Sequence, residues 1–284
     1  MICVKDLQFR YRGKTESTLK GLNFEVKDGE LFGFLGPSGA GKSTTQKIII
    51  GLLKQYSGSV QVMGQELSQI KRNFYENIGV SFELPNLFQK MTGRENLEYF
   101  RSLYRGECED INLLLQKVDL QQSADVRVSA YSKGMQMRLN FIRAFLNKPK
   151  VLFLDEPTSG LDPNNAQRIK DIIKEAQAKG TTIFITTHNM TVADEICDRV
   201  AFIVDGEIRL IDSPRELKIQ KTEKIVRVST GKGSAKKDFD YPLQGLEENI
   251  GFLNLLKTNT VETMHTLEPS LDDIFKDVTG RTLV

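Results

Sequence analysis

The stretch "GPSGAGKST", residues 36–44, decides how this chain folds. It stands between a short apolar run, "LFGFL", and a segment patterned as a helix over residues 42–55. The spacing is G-x-x-x-x-G-K-[ST], and a phosphate-binding loop requires this setting between strand and helix. Gly36, Gly39 and Gly41 let backbone N–H groups converge on phosphate oxygens with no Cβ in the way. Pro37, Ser38 and Ala40 supply the rest of the cradle, and Thr44 closes it. The helix start adds roughly half a positive charge from its aligned peptide dipoles. Lys42 is placed to reach the β- and γ-phosphates, and the Ser43 hydroxyl suits Mg²⁺. A plain glycine-rich turn would share the composition without the strand before and the helix after. The motif identifies a nucleotide binder and leaves open what the nucleotide does.

Further along, "VLFLDEP" (151–157) places four apolar residues ahead of Asp155 and Glu156. Adjacent strand side chains face opposite ways, but the loop at a strand end can turn both toward a phosphate. Asp155 is then suited to hold Mg²⁺, directly or through water, and Glu156 is the candidate general base for an attacking water. An acidic strand-to-helix turn is the plain alternative, and the phosphate loop on the same chain weighs against it. His188 ends the next buried run, "TIFITTH", where an imidazole near the γ-phosphate can hydrogen-bond it or orient water. His265 has no such context and reads as surface or packing. "YSKGMQMRL" (131–139) reads as a helix start with Ser132 at its beginning.

A chain of 284 residues suffices for one large α/β domain with a small appendage. Its 39% apolar and 27% charged content fits a soluble globular protein, and a net charge of +2 suggests no nucleic-acid partner. The longest apolar run, "IIIGLL", falls far short of the ~20 residues a membrane span requires. "MICVKDLQFRYRGK" lacks the apolar core of a signal peptide. Cys3, Cys108 and Cys197 are scattered, which suggests a reducing compartment and neither a disulfide framework nor a thiolate metal site.

Strands alternate with helices in the middle of the chain, which argues for a mostly parallel sheet. "ICVKDLQFRY" and "GLNFEV" read as strands, and "RVAFIVDGEIRLI" as a hairpin about Asp205-Gly206. Thr92 and Glu95 make a capping-box pattern. Asp162, Pro163 and Gly180 punctuate a helix. The character changes near residue 214. From Arg215 to Lys237 eight Lys/Arg stand against two Glu, and from Asp238 onward nine Asp/Glu stand against three Lys/Arg. The expected division is a domain of residues 1–219, with a helical subdomain at about 84–134, and a small accessory domain of residues 220–284. Within the latter, "STGKGSAKKD" reads as an exposed loop. The basic half could face a partner, its own acidic half or solvent.

"GPSGAGKST", "YSKGM", "VLFLDEP", "SGLDP" and "ITTH" occur in that order. Together they resemble the ATP-binding subunit of an ABC transporter, over about residues 1–215. The stand-alone ATPase subunits of ABC-2-type exporters are most similar, and "PSLDDIF" (269–275) with "TGR" (279–281) matches their ending. The resemblance implies an α/β P-loop NTPase. Its parts are a RecA-like, mostly parallel sheet core, an N-terminal antiparallel β subdomain, a helical subdomain and a small C-terminal α+β accessory domain. It implies ATP and Mg²⁺ as cofactors and a head-to-tail dimer, of two copies or of this chain with a related ATPase subunit. Ser132 and the backbone around Gly134 would then meet the γ-phosphate held by the partner's loop, using a hydroxyl and free N–H donors. Asp162 would carry information between the two sites, compatibly with capping its own helix. Tyr11 sits where the family places an aromatic that stacks on adenine; a core aromatic is the other reading.

Two departures from the family pattern stand out. The usual L-S-G-G-Q signature is here Tyr131, Ser132, Lys133, Gly134 and Met135. Lys133 could add a cation near the trapped phosphate or point to solvent, which a long ammonium tolerates without a partner. The family's usual Gln between the lobes aligns with Glu83, which can ligate Mg²⁺ but cannot donate an N–H to water. The resemblance also implies that the helical lobe grips transmembrane permease subunits on a separate polypeptide and powers export. The chain would be cytoplasmic, peripheral on the inner face of the cell membrane. The competing reading is an ABC-type ATPase switch acting on DNA or ribosomes, whose coiled-coil insertion or second cassette this sequence lacks.

Overall fold

A computed structural model describes residues 1–220, 225–231, 237–267 and 269–281. Contacts divide the chain into two units, Met1–Ser213 and Pro214–Thr282. The first opens with an antiparallel sheet of β1 (Ile2–Phe9), β2 (Leu19–Val26), β4 (Ser57–Val62) and β5 (Gln65–Glu66), in the order β2-β1-β4-β5. Ile2, Val4, Leu7 and Phe9 of β1 point inward. The second sheet is built from β3 (Leu31–Leu35), β6 (Ile78–Ser81), β7 (Val151–Asp155), β8 (Thr182–Thr187), β9 (Arg199–Val204) and β10 (Glu207–Asp212). Its order is β10-β9-β3-β8-β7-β6, parallel throughout except for the edge hairpin β9–β10. β3, β7 and β8 are buried along their whole length, as strands covered on both faces must be. The expected parallel core and N-terminal antiparallel sheet are therefore both present.

The two sheets share one core. Phe24 of β2 packs on Phe32, Phe34 and Phe184 with ring centroids 5.8, 5.4 and 6.1 Å apart. Burying each such ring stabilises the fold by roughly 2–3 kcal/mol. The hairpin turn forms as read: Asp205 and Gly206 take φ of 52° and 78°, the left-handed pair of a tight two-residue turn. Helix α1 (Lys42–Ile49) is shorter than its pattern over 42–55, because Gly51 takes φ 79° and its N–H turns back to the Ile48 carbonyl.

The lobe between β6 and β7 carries α2 (Gly93–Arg101), α3 (Ile111–Lys117) and α4 (Lys133–Arg143). Its first helix starts at Gly93. The buried Asn96 side chain shapes the segment ahead of it. It accepts from Phe88 N–H at 2.8 Å and donates to Phe88 C=O at 3.1 Å, holding residues before the helix in a non-helical path. Thr92 and Glu95 form the reciprocal capping box read from the sequence. Helices α5 (Pro163–Ala178) and α6 (Met190–Ile196) complete the unit. Asp162 caps α5, Pro163 is its first residue, and Gly180 follows its end.

Lobe and core are joined by Glu175 of α5, 2.6 Å from Lys117 of α3 and 2.6 Å from Lys179. Hydrogen bonds from these two lysines pull its carboxyl down from 4.5 to about 2. A folded-state value below the unfolded one contributes stability that is present above pH 4.5 and lost as pH falls toward 2. The side chain is half-exposed, so screening leaves about 1 kcal/mol. Glu175→Gln is expected to lower the melting temperature by about 2–4 °C at pH 7. In calorimetry the deficit should shrink as the pH is lowered through the acid range; a deficit independent of pH would contradict the assignment.

The second unit comprises α7 (Pro214–Gln220), β11 (Ile225–Thr230), β12 (Lys237–Pro242), α8 (Ile250–Thr258), β13 (Val261–Leu267) and α9 (Leu271–Thr279). Its antiparallel sheet runs β12-β11-β13. Val226 and Val228 meet Phe252 and Leu255 of α8 in a small core. Helix α7 lies against α9 and belongs by its contacts to the second unit, which starts at Pro214. Part of the basic half meets the acidic half: Arg227 donates to both carboxylate oxygens of Asp240 at 2.7 Å. The tip of the "STGKGSAKKD" loop, residues 232–236, lies outside the described residues. No helix among the described residues is long and apolar enough to cross a membrane.

Candidate nucleotide site

A cleft of ≈ 290 Å³ gathers Ser38, Gly39, Gly41, Lys42, Ser43, Thr44, Glu83, Asp155, Glu156 and His188. The glycine loop leaves β3 and enters α1 at Lys42. A Cβ on Gly36 would stand 2.2 Å from the Ile203 carbonyl oxygen of β9, so only glycine fits there. The hairpin turn backs the loop, with Gly206 N–H donating to the Ala40 carbonyl at 3.1 Å. Lys42 Nζ donates to the Gly36 carbonyl at 2.6 Å and the Pro37 carbonyl at 3.1 Å. Burial lowers its pKa, and Glu156, Asp155 and Glu83 oppose that shift by favouring the ammonium.

Asp155 closes β7 and is buried. Burial raises its pKa, the Thr186 hydroxyl bond works against that, and Glu156 and Glu83 raise it further; a hydrogen bond from Ser43 again lowers it. Glu156 follows at φ 47°, a left-handed conformation costing a non-glycine residue roughly 1–3 kcal/mol. That turn lets two consecutive carboxylates line one cleft. The backbone holds it there: Glu156 N–H donates to the Thr186 carbonyl at 2.9 Å. The carboxylate is fixed as well. Thr187 Oγ donates to Oε2 at 2.9 Å, His188 N–H donates to Oε1 at 2.9 Å, and His188 Nδ1 lies 2.7 Å from Oε1. This leaves His188 Nε2 for a second partner.

Sequence reading missed Gln46, Thr186 and Thr187. Thr186 Oγ touches Asp155 Oδ1 and lies 3.1 Å from the Gln46 amide, which is buried. One hydroxyl hydrogen cannot serve two acceptors, and among the described residues Gln46 Nε2 has no partner. Turning the amide over removes the competition for that hydrogen, with Nε2 donating to Thr186 and Thr186 donating to Asp155, and leaves the Gln46 carbonyl oxygen as the end without a partner among the described residues. The available signal was positional, a polar residue one helical turn beyond Lys42 and two threonines closing an apolar strand. Thr186→Val removes the hydroxyl that orients Asp155. It is expected to raise the Mg²⁺ concentration for half-maximal turnover about tenfold, while ATP affinity in chelator stays unchanged. Unaltered Mn²⁺ binding, read by electron paramagnetic resonance, would contradict it.

Tyr11, Ser132, Lys133, Gly134 and Asp162 do not line this cleft. Tyr11 is 37% exposed, with its hydroxyl 3.2 Å from Thr44 Oγ and its ring edge-on to Phe9, so it flanks the loop and is no core aromatic. Ser132 caps α4, accepting from Met135 N–H at 3.2 Å. Lys133 is exposed and its end lies beside Gly160. Space above Gly134 is open to ordinary contact distance from Leu161. Asp162 accepts from Asn165 N–H at 3.0 Å, and its bonds to Asn165 hold its carboxyl below the usual range.

A phosphate cradle beside a Glu–His pair, on a mixed sheet with a helical lobe, defines an ATP-hydrolysing cassette. A family model described as ABC transporter matches residues 19–159. The chain belongs to the ABC transporter ATP-binding proteins and is their ATP-binding, ATP-hydrolysing subunit. Two fluoroquinolones export ATP-binding proteins of Mycobacterium tuberculosis, strains CDC 1551 and H37Rv, are 52% identical over 100% of this chain and 94% of theirs. An uncharacterized ABC transporter ATP-binding protein of Bacillus subtilis, YdbJ, is 34% identical over 92% of this chain and 90% of its own. Residues 224–268 match a model described as the fluoroquinolone efflux ABC transporter C-terminal domain. The dimeric post-hydrolysis structure of the ATP-binding cassette MJ0796 with ADP and Pi superposes at a TM-score of 0.69 and 28% identity, over 76% of this chain and 99% of that one. Nothing in these relatives favours a switch on DNA or ribosomes.

Proposed function

We propose that two copies of this chain close head to tail around two ATP molecules and drive export through separate permease subunits. One observation carries this: Ser132 and Gly134 lie outside the Lys42 cleft, at an open helix start. Their donors are then directed to a nucleotide on another chain. That the similar ADP- and Pi-bound cassette is dimeric supports pairing of two copies.

Within the closed site Lys42 and the loop N–H groups bind the phosphates, and Tyr11 flanks the adenine. Glu156 accepts a proton from the attacking water, and His188 holds Glu156 through Nδ1–H and turns Nε2 toward the γ-phosphate, to which it donates when the ring carries both protons. Asp162, capping α5 beside the signature helix start, couples the two sites. Lys133 stays in solvent. For Mg²⁺ the donor set fits: Ser43, Asp155 and Glu83 offer oxygen ligands. Among the described residues no three His, Cys, Asp or Glu cluster as a metal cage, which suits an ion completed by phosphate oxygens and water. When bound, Mg²⁺ neutralises charge building on the phosphates.

A second cleft, of ≈ 520 Å³, lies between the core and the helical lobe and is lined by Val80, Phe82, Phe100, Leu103 and Arg143. Leu84, Phe88 and Tyr99 are exposed on the same segment. This is the surface we assign to the permease, which would hold the chain peripherally on the cytoplasmic face. The 52% identical relatives suggest an amphipathic drug of the fluoroquinolone kind as cargo. Tagged protein taken from detergent-solubilised membranes should bring down a polytopic membrane protein. Ribosomes in that fraction, with no membrane protein, would overturn the reading.

A further inference from the structure

β13 forms one edge of the C-terminal sheet, and residues 262–266 are all exposed. Successive strand side chains point to opposite faces, so neither face of the 262–266 stretch is covered, while Val261 at its start packs on the small core. Among the described residues its one strand partner is β11, with Val226 opposite Thr266 and Val228 opposite Met264. Among the described residues no strand pairs with the backbone groups on its outer side. Uncovered edges are normally guarded by charge or proline, because they template a further strand. The opposite edge, β12, is guarded by Lys237, Asp238, Asp240 and Pro242. β13, "VETMHTL", carries Glu262 alone and is rich in β-branched residues.

We propose that β13 pairs antiparallel with β13 of a second copy, joining two C-terminal units into one continuous sheet about a twofold axis at Met264. The proposal rests on the reading that two cassettes close around ATP, because closure supplies the second copy. The strand is complementary to itself in this register, which pairs its whole length. Met264 meets Met264, Thr263 meets His265, Glu262 meets Thr266 and Val261 meets Leu267. The two Glu262 carboxylates end up roughly 13 Å apart along the ribbon, whereas a register centred on Glu262 would set them face to face. Met264, 45% exposed in the single chain, becomes covered by its mate.

A ribbon of this length buries less than the roughly 1,000 Å² a free-standing interface needs. Between free chains it is weak. Inside a closed cassette dimer it becomes intramolecular, at an effective concentration on the order of millimolar, and then adds to dimer stability.

The test uses the full chain carrying Glu156→Gln, with Cys3→Ser and Cys108→Ser, leaving Cys197 buried. With Met264→Cys, ATP and a short bis-maleimide should give a covalent dimer; Lys237→Cys on β12 should give none. By sedimentation, Met264→Lys should weaken the ATP-held dimer about tenfold, with monomer ATP affinity unchanged. A dimer of normal affinity that neither cross-links at position 264 nor responds to Met264→Lys overturns strand pairing and leaves cassette closure standing. Cross-linking at 264 without ATP-driven dimerisation keeps the pairing and overturns the closure. Absence of both results overturns both.

Discussion

Glu156→Gln is expected to cut ATP turnover by about a thousandfold, the scale of a positioned general base, and to leave ATP binding intact. Gln occupies the same volume: its carbonyl oxygen can still accept from His188 N–H, and its NH2 can donate to the Thr187 hydroxyl oxygen, the two groups that hold Glu156 at 2.9 Å each. The site's shape survives while its ability to take a proton from water does not. ATP should then persist in the closed site, so the variant accumulates as an ATP-bound dimer. Single-turnover kinetics and sedimentation with ATP measure both halves. Turnover within tenfold of the parent would remove Glu156 as the base.

Lys42→Ala carries the second large effect. Its ammonium is held at 2.6 Å from the Gly36 carbonyl, poised over the loop that would cradle the phosphates. Charge-assisted bonds contribute about 1.5–3 kcal/mol each, so losing the contacts to one phosphate tail should weaken ATP binding roughly a hundredfold. Titration with a fluorescent ATP analogue reads the loss, and the melting temperature without nucleotide should change little. Affinity within twofold of the parent would mean that the loop amides alone hold the nucleotide.

The parts of this site that sequence could show are those made by neighbours along the chain. The loop at 36–44 needs only glycines, a lysine and a helix start, and all are contiguous. The capping box at Thr92, the cap at Asp162 and the Asp205-Gly206 turn were legible for the same reason. What sequence could not show depends on packing between distant segments. Gln46 and Thr186 are 140 positions apart and meet because α1 lies against β8. The left-handed turn at Glu156 follows from its backbone bond to Thr186. The non-helical path of the residues before α2 follows from Asn96 turning back on Phe88. Glu83 reads from sequence as a displaced Gln, and its place among Lys42, Asp155 and Glu156 appears only in three dimensions.

The central claim is that each chain lends Ser132 and Gly134 to the nucleotide held by its partner's Lys42. Mixing two inactivated chains in the Glu156→Gln background tests it most directly. One carries Lys42→Ala and lacks a working loop; the other carries Ser132→Arg and lacks a working signature. Alone, neither should retain ATP through desalting. Mixed, they should form a dimer that retains a single ATP, because one site combines the intact loop of one chain with the intact signature of the other. A mixture that retains none, or a Ser132→Arg chain that alone retains the full load, would contradict the account.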